Sequence, residues 1–222
     1  MKKQRFVIIV AGGSGKRMGN DIPKQFIPIN NYPILMHTIK VFYAVDPCFK
    51  IIVVLPEAQH LYWNELIEKY NFTLEHEIAK GGDERFYSVK NGLQLVNYEG
   101  LVAVHDGVRP LVSSKVIQDC FKKAEVEGAV IPVLPANESI RRINNGESIA
   151  LNRSEYFMVQ TPQVFKTEIL EKAYKQPFSS LFTDDASVVE SAGFKVSHVE
   201  SNPENIKITR PMDLTIAEAL LK

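Results

Sequence analysis

A glycine-rich stretch with nearby cations is the part of this chain best suited to chemistry. Residues 11–19 read Ala-Gly-Gly-Ser-Gly-Lys-Arg-Met-Gly and follow the apolar run 6–10, which predicts a buried strand. Glycine has no Cβ, so such a turn leaves backbone N–H groups accessible to an anion. Lys16, Arg17 and Lys24 place three cations beside the turn. This pattern indicates a site for a polyphosphate.

The loop differs from the common glycine motifs. A Walker loop requires a glycine where Val10 stands and a hydroxyl residue where Arg17 stands. A dinucleotide fingerprint beginning at Gly13 requires a small residue where Met18 stands. An ordinary strand-to-helix turn with surface cations remains the alternative interpretation.

Length and composition are those of one globular domain. The 222 residues are 45% apolar and 23% charged, which suits a chain with a sizeable core. The 26 Lys and Arg balance the 26 Asp and Glu, so no overall field favours nucleic acid or an anionic membrane as a partner. Cys48 and Cys120 lack the spacing of a disulfide framework or thiolate metal site, and the five histidines show no catalytic pairing. We therefore expect a cytoplasmic protein.

Apolar runs alternate with helical patterns along the chain. The strand-like runs are residues 6–10, 51–55, 101–105 and 129–134, and the helical patterns are 33–45, 58–70, 83–96 and a helix capped by Ser113 that reaches about residue 127. This alternation predicts an α/β fold with a mainly parallel sheet flanked by helices. Ligands of such sheets bind at the carboxyl ends of the strands, where the glycine loop lies.

The alternation stops between residues 136 and 160. Two extended runs, 139–143 and 147–151, flank Asn144-Asn145-Gly146, and Asn-Gly between such runs predicts a β-hairpin. An isolated hairpin is only marginally stable in water, so packing on a second copy of the chain would stabilise it. A flap packed on its own domain is the alternative.

Other polar residues follow predicted elements. Asp106 ends an apolar run and offers an oxygen ligand for a magnesium ion that bridges phosphates, although pairing with Arg109 is equally compatible. Residues 81–88 read as a second glycine turn that enters a helix and could hold a ring or a ribose through its backbone and the Ser88 hydroxyl. A helix capped by Asp83 is the simpler interpretation. Residues 205–210 predict a short strand that carries Lys207.

Seven motifs in one order resemble a known family. They are Ala-Gly-Gly-x-Gly-x-Arg-Met, Pro-Lys-Gln, Gly-Gly-Asp-Glu-Arg, His-Asp-x-x-Arg-Pro, Thr-Pro-Gln, Thr-Asp-Asp-Ala and Asn-Ile-Lys-Ile-Thr-Arg-Pro. Together, from about Val7 to Leu221, they resemble the methylerythritol phosphate cytidylyltransferases of the non-mevalonate isoprenoid pathway. The resemblance implies that CTP and methylerythritol phosphate react, with Mg²⁺, to give the cytidine-diphospho alcohol and pyrophosphate. It also implies a Rossmann-like single domain over residues 1–222 and a homodimer formed through a β-arm at about 136–158.

The resemblance assigns roles to residues that match its motifs. The implied catalytic residues are Arg17, Lys24 and Lys207. The implied nucleotide-binding residues are Ala11, Gly12, Gly13, Gly15, Gly82, Asp83, Arg85, Ser88 and Asp106, of which Asp106 is also the implied metal ligand. The implied residues for the second substrate are Arg109, Ser139, Arg153, Thr161 and Thr183.

The chain departs from the family pattern in a few places. Glu138-Ser139 replaces Asp-Thr on the arm, and Asp185 replaces a glutamate. The arm change leaves ribitol phosphate as an alternative second substrate. A nucleotide-binding regulator without turnover and a pyrophosphorylase for another base are further alternatives.

Overall fold

The computed structural model describes residues 4–13 and 22–221, in which strands and helices alternate along most of the chain. The strands are β1 Gln4–Val10, β2 Pro28–Ile29, β3 Tyr32–Pro33, β4 Lys50–Leu55, β5 Glu77–Lys80, β6 Gly100–Asp106, β7 Ala129–Pro135, β8 Arg141–Asn144, β9 Glu147–Ala150, β10 Phe157–Val159, β11 Gln163–Lys166 and β12 Ser197–Glu200. The helices are α1 Ile34–Val45, α2 His60–Lys69, α3 Arg85–Leu93, α4 Ser114–Glu127, α5 Thr167–Ala173, α6 Asp185–Ser191 and α7 Pro211–Leu220, with 3-10 turns at Lys24–Phe26, Glu57–Gln59 and Arg153–Glu155. In the residues so described, no helix combines the length and apolar character needed to span a bilayer.

A mixed, mostly parallel sheet forms the centre of the molecule. Its strand order is β10-β7-β11-β6-β1-β4-β5, and β12 also pairs with β7. Strand β1 is parallel to β4 and β6, and β4 is parallel to β5. Strand β11 runs antiparallel between β6 and β7. The predicted α/β fold with a mainly parallel sheet flanked by helices is therefore confirmed.

Both faces of the sheet are covered by helices, which explains why β1 is an unbroken apolar run. Val7 and Ile9 pack with residues of α1, α2 and α4 on one face. Phe6 and Ile8 pack with residues of α3, α5 and α6 on the other. A strand buried on both faces has no solvent side and needs no polar alternation.

The predicted helix after Ser113 is confirmed together with its cap. The backbone N–H of Val116 donates to Ser113 Oγ at 3.2 Å, which satisfies one of the free donors of the first turn. The helix stops at Gly128, where φ is +88°. A residue with a side chain is disfavoured at that φ, so glycine ends the helix at low cost.

The predicted hairpin is also confirmed. Strands β8 and β9 pair antiparallel, and Asn145 and Gly146 turn the chain with φ values of +48° and +83°. Positive φ at both central residues is the type I′ geometry that Asn-Gly favours. Both strands are exposed along their whole length and form a separate two-stranded sheet.

Three local predictions were wrong or incomplete. Residues 205–210 form no strand, because that segment makes one backbone bond to the loop after β6, from Ile208 N–H to Val108 O, rather than a ladder. Helix α3 begins at Arg85 with Glu84 at its cap position, so Asp83 does not cap it. Strands β2, β3, β5, β10, β11 and β12 were not predicted because they are short, and polar residues in β5, β11 and β12 also interrupt the apolar signal.

Burial of His76 predicts acid-sensitive stability. Trp63 Nε1–H donates to His76 Nε2 at 3.0 Å, and burial lowers the pKa of His76. A histidine with a lowered pKa stabilises the fold fully above its unfolded value near 6.5, and this contribution is lost as the pH falls below that value. We therefore expect the free energy of unfolding, measured with urea, to decrease from pH 7 towards pH 5.

The matched variant is His76→Gln, which has no titrating ring. Its free energy of unfolding should depend less on pH than that of the wild type over the same interval. Parallel pH profiles for the two proteins would contradict the assignment to His76.

Candidate active site

A cleft of about 250 Å³ lies at the carboxyl edge of the parallel strands. Strands β1, β4 and β6 end there, since Val10 pairs with Val54 and Asp106 in the register of the sheet. The cleft is lined by Val10, Ala11, Gly12, Gly13, Lys24, Gln25, Gly82, Asp83, Glu84, Arg85, Ser88, Asp106, Val108 and Lys207. The structure thus brings together most of the residues to which the sequence assigned a nucleotide or catalytic role.

The first glycine loop contacts Lys24. Ala11 N–H still bonds to Val54 O at 2.9 Å, and the chain leaves the sheet after it. A Cβ placed on Gly13 would lie 3.0 Å from Lys24 Cε and 3.6 Å from Lys24 Nζ. The ammonium group therefore lies beside the glycine backbone, as a phosphate site requires. Gly15 and Arg17 lie outside the described residues.

The second glycine turn faces the first one. Gly82 N–H donates to Ser88 Oγ at 3.0 Å, and a Cβ on Gly82 would lie only 2.3 Å from Tyr87 Cβ. This close approach admits only glycine. A Cβ on Gly12 would lie 4.0 Å from Ser88 Oγ, so the two turns approach each other at Ser88.

The Asp106 carboxylate lies close to three cationic side chains. Its Oδ2 lies 3.0 Å from Arg109 Nε and 3.1 Å from Lys207 Nζ, and Arg85 Nε is 4.0 Å from Oδ1. Burial alone would raise the pKa of Asp106, but Lys207, Arg85 and Arg109 together hold that pKa well below its ordinary value. The carboxylate is therefore ionised at any physiological pH.

Arg85 is held by a carboxylate that the sequence did not identify as functional. Its guanidinium donates twice to Asp185, at 2.9 and 2.6 Å, and Tyr174 OH donates to the same carboxylate at 2.6 Å. Asp185 is completely buried. Burial alone would lower the pKa of Arg85, but Asp185 raises it above its ordinary value, so the guanidinium stays charged. The available signal was its place in the Thr-Asp-Asp-Ala motif, where Asp185 stands in place of a glutamate.

A second cleft of about 290 Å³ adjoins the first and shares Arg85, Asp106 and Lys207 with it. Its other lining residues are Arg109, Val159, Gln160, Thr161, Gln163, Thr183 and Asp184. Three residues expected to contact the second substrate, Arg109, Thr161 and Thr183, therefore lie together.

Ser139 and Arg153 are not brought to either cleft within one chain. Both are exposed beside the hairpin, and Arg153 Nη1 donates to Asn137 O at 2.7 Å. Within a single subunit, the arm therefore holds these two residues apart from the other candidates.

His105 is a buried neighbour of the site to which the sequence gave no role. Its Nε2 lies 3.0 Å from Arg109 O and its Nδ1 lies 3.0 Å from Thr161 Oγ1. Burial lowers the pKa of His105 to about 4, so the ring is neutral at pH 7. The histidine thus links the segment before β11 to the loop after β6.

Comparisons with known proteins agree with this geometry. The family model of 2-C-methyl-D-erythritol 4-phosphate cytidylyltransferase (IspD) matches residues 6–222. Relatives bearing that name from Phocaeicola vulgatus and Bacteroides thetaiotaomicron are each 54% identical, over 98% and 97% of this chain and 99% and 98% of their own. The crystal structure of 4-diphosphocytidyl-2C-methyl-D-erythritol synthase from Anaerococcus prevotii matches with a TM-score of 0.83 at 27% identity, covering 99% of this chain and 96% of that one. The Francisella tularensis 2-C-methyl-D-erythritol 4-phosphate cytidylyltransferase matches with a TM-score of 0.80 at 33% identity, covering 98% and 99%. The chain therefore belongs to the 2-C-methyl-D-erythritol 4-phosphate cytidylyltransferase family.

Proposed function

We propose that this chain transfers CMP from CTP to 2-C-methyl-D-erythritol 4-phosphate and releases pyrophosphate. The observation that carries the proposal is the pair of adjoining clefts that share Arg85, Asp106 and Lys207. One cleft has two glycine turns suited to a nucleotide, and the other has polar side chains suited to a second anion. Two anionic substrates would meet at the shared cations.

The reaction needs positioned charge more than proton transfer. A phosphate oxygen of the alcohol phosphate forms a bond to the α-phosphorus of CTP, and the bond from that phosphorus to the pyrophosphate oxygen breaks. The attacking oxygen is already ionised at neutral pH, so no general base is required. Fixed cations stabilise the charge that develops on the α-phosphate and on pyrophosphate. We assign this role to Lys24, Lys207 and Arg17.

Asp106 keeps the cations in place before substrate binds. Without a counter-charge, Lys207 and Arg109 would repel each other and withdraw from the cleft. The ionised carboxylate contacts both at about the distance of a charge-assisted hydrogen bond. Preorganised charge of this kind needs no rearrangement as the reaction proceeds.

The residues at Asp106 fit a magnesium ion that is completed by substrate. Among the described residues no group of three or more His, Cys, Asp or Glu could hold a metal. Mg²⁺ is often held by one or two carboxylates together with substrate phosphates, and Asp106 Oδ1 lies 4.0 Å from Arg85 Nε, farther than Oδ2 lies from Arg109 and Lys207. When bound, Mg²⁺ would supply positive charge to the triphosphate oxygens.

We propose that the turn at Gly82 and Asp83 reads the cytosine ring. Ser88 Oγ accepts the Gly82 N–H bond and holds the turn open towards Gly12. Asp83 is exposed on the cleft side of that turn. Arg85, fixed by Asp185, anchors the same turn to α6.

The β-arm is proposed to complete the second cleft of a partner subunit. Ile143 and Ile149 on the hairpin are 74% and 48% exposed, and Phe157 and Met158 beyond it are 49% and 63% exposed. The register pairs Ile143 with Ser148 and Ile149 with Arg142, so each face of the hairpin exposes an apolar side chain that a partner could cover. A two-fold dimer would bury such side chains and deliver Ser139 and Arg153 to the alcohol phosphate.

A cytoplasmic location is part of the same proposal. Cys48 and Cys120 are both free thiols. Unpaired thiols persist where glutathione and thioredoxin keep the compartment reducing.

A substrate comparison tests the function. With CTP and Mg²⁺, pyrophosphate should be released when 2-C-methyl-D-erythritol 4-phosphate is added. Ribitol 5-phosphate should give much slower release, and UTP, GTP or ATP should not replace CTP. Faster turnover of ribitol phosphate would reassign the second substrate, and binding of CTP without turnover of either alcohol would support a regulator instead.

Removing the Lys24 ammonium tests the catalytic assignment. Lys24→Ala should cost about 3 kcal/mol of transition-state stabilisation, which is about a hundredfold in turnover. The exposed Lys122→Ala on α4 serves as the matched control and should retain wild-type kinetics. Unchanged pyrophosphate release in a folded Lys24→Ala protein would show the assignment to be wrong.

Mixing two variants tests whether the arm acts in the partner. Arg153→Ala should raise the Michaelis constant for the alcohol phosphate much more than that for CTP. If each site uses Lys24 of one subunit and Arg153 of the other, a mixed dimer of Lys24→Ala and Arg153→Ala contains one intact site. At an alcohol phosphate concentration far below the Michaelis constant of Arg153→Ala, where both single variants are nearly inactive, exchanged mixtures should then recover about a quarter of wild-type turnover, because half the dimers are mixed and each has one of its two sites working. No recovery, with subunit exchange verified by mass, would argue against an arm that acts in trans.

A further inference from the structure

The hydroxyl of Thr161 lies between a histidine ring and the main chain of Asp106. Thr161 Oγ1 is 3.0 Å from His105 Nδ1, and Asp106 N–H donates to the same oxygen at 3.1 Å. Thr161 is 5% exposed and His105 is 0% exposed. Both of these hydrogen-bond partners of the hydroxyl are protein groups, although Thr161 also lines the second cleft.

The direction of these hydrogen bonds follows from their chemistry. The two partners of the fully buried His105 ring, Arg109 O and Thr161 Oγ1, carry no charge, which favours a ring with a single proton. Arg109 O can only accept, so that proton is on Nε2, 3.0 Å away. His105 Nδ1 then carries a lone pair, and the Thr161 O–H donates to it. Threonine has one hydroxyl proton, so none remains for the phosphate of a substrate. The same oxygen uses one of its two lone pairs for Asp106 N–H.

The main-chain carbonyl of Thr161 is hydrogen-bonded, through Asn205, to Arg109 and to the segment that carries Lys207. Asn205 Nδ2 donates to Thr161 O at 2.9 Å, and Arg109 Nη1 donates to Asn205 O at 2.7 Å. Asn205 is fully buried and precedes Lys207 by two residues. Thr161 is therefore linked to Asp106 and Arg109, and to the segment that carries Lys207.

We propose that Thr161 and His105 are positioning residues that fix the main chain of Asp106, and that Thr161 donates no hydrogen bond to the second substrate. This role differs from the substrate contact that the family resemblance implied for Thr161. It rests on the proposed function, because its kinetic test requires turnover of CTP and the alcohol phosphate.

The kinetic test separates positioning from contact. Thr161→Val removes the acceptor of Asp106 N–H and should lower kcat about tenfold, with both Michaelis constants within about threefold of the wild type. Thr161→Ser restores the hydroxyl and should recover most of the lost kcat. The matched control is Thr167→Val, because Thr167 Oγ1 accepts the N–H of Gly100 at the other end of β6, at 3.1 Å. Its kinetics should match the wild type.

A selective rise in the Michaelis constant for the alcohol phosphate, with kcat unchanged, would mean direct contact and overturn the proposal. His105→Phe should lower kcat in the same way as Thr161→Val, and the double variant should lose no more than the more affected single variant. If the losses of kcat in the two single variants multiply in the double variant, the proposal is also overturned. Residues that act through one hydrogen-bonded chain are expected to have non-additive effects.

A second measurement, of the proton position on the His105 ring, does not depend on enzyme activity. Nitrogen NMR of the imidazole rings, with His105→Phe to assign the signal, should show a neutral ring with its proton on Nε2 at pH 7. A proton on Nδ1 would reverse the Thr161 hydrogen bond and overturn the proposal. Wild-type protein without turnover would refute the proposed function, whereas the ring measurement would still decide the positioning role.

Discussion

The carboxylate of Asp106 is the interaction on which the candidate site depends. It is buried at the end of β6, where desolvation disfavours a charge, yet three cations hold it ionised. The cost of burying each charge is offset only while all of them remain paired. Removing the carboxylate would leave Lys207 and Arg109 close together without the counter-charge that they share, whereas Arg85 would keep its bonds to Asp185. The shape of both clefts therefore depends on a cluster that the fold has to assemble before any substrate arrives.

Much of the architecture could be predicted from the sequence because its signals are local. A strand buried on both faces, such as β1, is an unbroken apolar run, and Asn145-Gly146 specifies its turn through the backbone alone. The edge strands β5 and β12 gave no such signal, since Glu77, Lys80, His198 and Glu200 are exposed and interrupt the apolar pattern. Residues 205–210 have strand-like alternation, but tertiary packing decides their conformation.

The candidate site was predictable in part for the same reason. Glycine turns and the ordered motifs identified residues on both sides of the cleft, such as Gly82 and Lys207. Asp185 and His105 were not identified as functional because their importance arises from contacts across the fold. Asp185 meets Arg85 from 100 positions away in the chain, and His105 meets Thr161 from 56 positions away. No local sequence pattern predicts a contact between residues so far apart in the chain.

The reversed direction of β11 has a consequence for how the site can diversify. Because this strand runs antiparallel to β6, its first residues lie at the same edge as the last residues of β6, where Gln163 pairs with Val104. The segment that enters β11 thus reaches the clefts from the opposite chain direction to the loops after β1 and β6. Val159, Gln160 and Thr161, which precede β11, line the second cleft and not the first. Substitutions there can change the second cleft while the residues of both glycine turns stay the same, so the two clefts can diverge separately.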